Sequence, residues 1–143
     1  MNGYPYNAKL TGPSRVAPSG DLTDKEGRLV KLVNSSGELK AALPTAVGNE
    51  ASHVIMEAED GDEHVDVQAL SEFSEIPLWL VGACNPGDQL VNADPATSAN
   101  AGAVRALPAT AGTYERVGFA LEAGVDGQLV KVCPSKRSVT VSA

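Results

Sequence analysis

The run Gly118-Phe119-Ala120-Leu121-Glu122-Ala123-Gly124-Val125-Asp126-Gly127-Gln128-Leu129-Val130-Lys131-Val132 decides the fold. An apolar stretch ends in the small-residue bend Ala123-Gly124, and Asp126-Gly127 turns the chain into a second stretch in which apolar and polar residues alternate. Alternation with period two marks a half-buried strand, and Asp-Gly marks a tight turn. The unit is strand, turn, strand.

Working outward, parts of this unit recur earlier in the chain. Ala42-Leu43-Pro44 returns as Ala106-Leu107-Pro108 and Gly48 as Gly112, both 64 residues on. Met56-Glu57-Ala58 returns as Leu121-Glu122-Ala123, and Val65-Asp66-Val67 as Val130-Lys131-Val132, both at 65. Leu29-Val30 matches Leu90-Val91 at 61. The order and near-constant spacing predict two similar halves, 27–67 and 88–132, joined through the apolar Leu78–Val81. Two copies are too few for a solenoid and fit half-sheets sharing one core.

Short strand-like runs fill the rest, split by turns such as Asn34-Ser35-Ser36-Gly37 and Asn85-Pro86-Gly87-Asp88. Such spacing predicts an all-β domain, a small sandwich or barrel, over residues 25–135. One or two helical turns are expected at 68–75, with Leu70 and Phe73 on one face. The expected core is Leu29, Leu43, Val54, Met56, Val65, Val67, Leu80, Leu90, Leu107, Phe119, Leu121, Val130 and Val132.

Residues 1–24 read as an extended N-terminal arm, because Pro5, Pro13 and Pro18 interrupt any helix or central strand. Residues 136–143 read as a C-terminal tail. Residues 21–133 hold all 18 acids against seven bases, whereas 1–20 and 134–143 hold bases only. Within the arm, Tyr4, Tyr6, Leu10 and Val16 are the expected apolar contacts to a partner, and Lys9 and Arg15 the charged ones.

A net charge of −7 argues against nucleic acid as the main partner. The apolar runs are too short to span a membrane, and the N-terminus lacks the pattern of a signal peptide. Cys84 and Cys133 are too few for a disulfide framework, so a reducing compartment is expected. The acidic run around His64 lacks the ligand spacing of a calcium loop, His53 has no nucleophile set beside it, and no phosphate-binding glycine motif occurs. Catalytic residues, a cofactor and a metal are therefore not expected.

The apolar strand ending Ala120-Leu121-Glu122-Ala123, the glycine turn and Val130-Lys131-Val132 resemble the C-terminal part of tailed-bacteriophage capsid decoration (cement) proteins. Pro86-Gly87-Asp88-Gln89-Leu90-Val91 and Gly102-Ala103-Val104 are in the same style, and the resemblance covers residues 62–133, more loosely 25–61. It implies a barrel-like, β-tulip-type domain made in the host cytoplasm. Such a protein binds the exterior of the phage head as a non-catalytic structural component of the virion. Its implied partners are the major capsid protein and its own copies in a homotrimer. A surface-exposed β-rich module for host or carbohydrate contact, at low copy number, is the alternative.

Overall fold

The structure, a computed structural model, describes residues 14–46, 51–58 and 64–142. Alternation and turn residues produce ten strands: β1 Ser14–Pro18, β2 Leu29–Ser35, β3 Glu38–Ala42, β4 His53–Glu57, β5 Val65–Ala69, β6 Ile76–Trp79, β7 Gln89–Asn92, β8 Val104–Ala106, β9 Gly112–Ala120 and β10 Leu129–Val141. The described residues contain one further element, the short 3-10 turn Ser98–Asn100, so the chain is all-β as expected.

The first five strands close into a barrel in the order β1-β3-β2-β4-β5. β1 closes it, antiparallel to β5 (Val16 opposite Val65) and parallel to β3 (Ala17 opposite Lys40). The second five form a sheet in the order β6-β10-β9-β7-β8. Its connectivity is that of the barrel with each strand number raised by five. The seam between β6 and β8 carries a single parallel bridge, Leu80 to Val104.

Two cores result. Val16, Val30, Ala41, Ile55, Val65 and Val67 fill the barrel. Leu29 and Val54, directly opposite each other on β2 and β4, turn the other way and join Leu78, Leu80, Leu90, Val104, Val130 and Val132 beneath the second sheet. This is why Leu29-Val30 and Val54-Ile55 are buried as adjacent pairs: these strands have a core on each face.

The units interlock at the open seam. Trp79 N–H donates to Gly27 O, and Leu29 N–H to Gly102 O, so the segment leading into β2 lies between the edges of β6 and β8. Arg28, 7% exposed, donates from one guanidinium nitrogen to Ala99 O (2.7 Å) and Ala101 O (2.9 Å) and lies 5.1 Å from the Trp79 ring centre. Gly102 has a φ of +79°, and a Cβ there would come within 2.6 Å of Leu29 O, so glycine is required by both conformation and space.

Several expectations are corrected. Residues 14–18 are a barrel strand, so the arm does not extend to residue 24. Lys136–Val141 is no tail: a register step between Pro134 and Arg137 lets β10 continue against β9 as far as Val141 opposite Gly112. Residues 70–75 form a turn, and Phe73 is 98% exposed. Met56 is 36% exposed because the β4–β5 register steps between Ile55 and Glu57. Leu121 is 42% exposed: Val130 and Val132 face the core, so Lys131, whose O accepts from Leu121 N–H, faces out. Ala120 takes the inward place that the larger Leu121 was expected to fill, and Leu43, Leu107 and Phe119 are only half-buried.

Candidate functional site

Of the six residues expected to contact a partner, Tyr4, Tyr6, Lys9 and Leu10 lie outside the described residues. Arg15 is on the outside of β1, its Nε 3.2 Å from Asp66 Oδ1 on β5. An exposed pair of this kind adds little stability. Val16, 8% exposed, points into the barrel and is not a surface contact. β1 places these neighbours oppositely because side chains alternate along a strand.

The titratable groups do not converge. His53 lies on β4, its Nδ1 2.7 Å from Ser52 Oγ, and burial lowers its pKa. Cys84 is buried, and desolvation foremost raises its thiol pKa, which disfavours the nucleophilic thiolate. Cys133 is a free thiol whose Sγ lies 3.9 Å from Glu72 O. Among the described residues no group of three or more His, Cys, Asp or Glu side chains is placed to hold a metal ion. The acidic run around His64 falls largely at 59–63, outside the described residues.

One part of the described surface is apolar. An open groove of about 290 Å³ lies along β6 and β10, floored by Ile76 and Val130 and rimmed by Pro77, Leu129, Glu122 and Lys131. It arises because β6 pairs with the start of β10, with Pro77 opposite Lys131 and Trp79 opposite Leu129. Leu121 and Leu129 are more than two-fifths exposed, and Phe73 stands at the tip of the turn before β6. Large exposed apolar groups of this kind mark contact surfaces when they are contiguous. The sequence reading placed Leu121 in the core and Phe73 on a helical face, and so missed them. Their only signal was weak: apolar residues beside acids in turns.

No family model and no curated protein matches the chain. Among solved structures the fold is similar to the N base of head fibre gp8.5 of bacteriophage phi29, with 16% identity and a TM-score of 0.57, over 86% of this chain and 92% of that one.

Proposed function

We propose that the chain is a non-catalytic structural protein of a phage virion. It binds the outer surface of the capsid and stabilises the shell. The observation that carries this reading is the likeness in fold to a phage head fibre base over most of both chains. The likeness in pattern to decoration proteins along residues 62–133 supports it, as does the acidic body, which disfavours binding to packaged nucleic acid. Residues 1–13 anchor the protein to the major capsid protein or to a neighbouring copy. Tyr4, Tyr6 and Leu10 supply the apolar contacts, and Lys9 is drawn to an acidic surface. A homotrimer engaging three sites gains from effective concentration.

The test is the copy number in purified virions, together with binding of the full chain to undecorated heads. Stoichiometry with the shell is expected. Absence from virions overturns the reading. A few copies per virion favours the alternative, a surface-exposed binding module at low copy number, to which the neighbour's place at the base of a fibre lends its own support. Deleting residues 1–13 is expected to abolish head binding, and full-strength binding without them removes the anchor role.

A further inference from the structure

The pairing registers bring three of the five arginines into one line. Arg105 on β8 is opposite Val91 on β7, Val91 is opposite Arg116 on β9, and Arg116 is opposite Arg137 on β10. Residues directly opposite share a face of a sheet, so the row crosses four strands, about 14 Å at the usual strand spacing. This face is the one opposite the shared core: Leu90, Val104 and Val117, the chain neighbours of Val91, Arg105 and Arg116, belong to that core, while on the row's own face Val91 is covered, Arg105 and Arg116 are half-buried and Arg137 is exposed.

The row is held ready. Arg116 donates to Ser135 O, Ser135 Oγ and Gln89 Oε1, and its guanidinium carbon is 4.4 Å from the Phe119 ring centre. That of Arg105 is 5.9 Å from the Tyr114 ring centre, and its buried Nε has no hydrogen-bond partner among the described residues. Arg137 is exposed. No ion pair among the described residues includes any of the three. Like charges directly opposite on neighbouring strands, as Arg116 and Arg137 are, cost stability. In a chain of net charge −7, three aligned arginines with no carboxylate partner among the described residues form a local concentration of positive charge.

The geometry points to a docking surface for an extended acidic segment of a partner protein, laid across β8, β7, β9 and β10 with its carboxylates on the arginines. Guanidinium forks match carboxylates in shape and charge. Alternate side chains of an extended segment recur about every 7 Å, which places two or three carboxylates over the row. Nucleic acid is the other polyanion such a row would attract, and it is the competing occupant that the experiment separates. The inference uses none of the arm residues and is tested on the isolated protein, so it stands or fails separately from the virion reading.

The experiment titrates the full chain into a fluorescently labelled peptide of about twelve alternating Asp and Thr residues at low salt, with an oligothymidine of similar charge in parallel. Saturable peptide binding is expected, weakened roughly tenfold by Arg137→Glu and retained by Arg137→Lys. Lys40→Glu makes the same charge change on the barrel and is expected to leave affinity within about twofold. Arg137 is exposed and lies opposite Arg116, so Arg137→Glu is expected to fold and to melt at or slightly above the parent protein's temperature. Absence of saturable peptide binding, equal weakening by Lys40→Glu, or tighter binding of the oligothymidine overturns the assignment.

Discussion

The barrel and the second sheet share one connectivity and differ at one seam. In the barrel, β1 and β3 meet over two paired positions, and Ser19 N–H donates to Ala41 O just beyond them. In the second sheet Val81 N–H donates to Val104 O at the corresponding place, but Leu80–Val104 is the lone bridge, and Gly27–Leu29 of the barrel occupies the gap. A closed barrel has no edge to satisfy, whereas an open one leaves backbone donors and acceptors that need partners. Here the first unit supplies them. The same topology thus gives a self-contained barrel when its seam closes on itself, and a receptor for a neighbour when it does not.

Substitutions at the seam break the comparison most sharply. Gly102→Val puts a branched side chain against Leu29 O at a positive φ, and is expected to cost more than about 3 kcal/mol in denaturant unfolding, or to prevent folding. Leu29→Ala removes a side chain from the shared core and is expected to cost about 2–5 kcal/mol. A near-neutral result would mean that the second sheet does not depend on the barrel's side chain. Arg28→Met keeps the bulk but strands the carbonyls of Ala99 and Ala101, and a loss of about 2–3 kcal/mol is expected.

A smaller effect separates the units by pH. Burial holds the His53 pKa below its ordinary value of 6.5. The unfolded chain therefore binds the proton more readily, and stability falls as pH drops below about 6.5 towards the folded pKa. His53→Gln is expected to flatten that part of the melting-temperature profile, and an unchanged slope would assign the pH dependence elsewhere. Smallest of all, Leu121→Ala and Phe73→Ser, on exposed side chains of the second unit, are each expected to change stability by no more than about 0.5 kcal/mol.

The strands were legible because their signals are local. Asp126-Gly127 before Leu129-Val130, and Pro86-Gly87 before Leu90-Val91, carry turn and alternation within a few residues. Val65 and Val67 face the barrel core as Val130 and Val132 face the shared one. What the sequence hid is set by pairing across strands. The inward choice of Ala120 over Leu121 is settled by what lies opposite, and size alone suggested the reverse. Arg28 carries no local signal, because its partners are 71 and 73 residues away. The arginine row exists only through the registers of β7, β8, β9 and β10. Most of the expected contact residues fall at 1–13, where the described structure does not reach.

The insertion of Gly27–Leu29 into the seam also sets the order in which the molecule can assemble. Leu29 N–H waits for Gly102 O, and the Arg28 guanidinium for Ala99 and Ala101, all from the far half of the chain. Long loops must close before these contacts form, and folds dominated by such pairings form slowly, in milliseconds to seconds. A nascent chain released before β8 would hold a barrel whose Leu29 and Val54 are bare to water. The two units are thus expected to fold and unfold in a single transition, leaving no stable half for a protease to isolate.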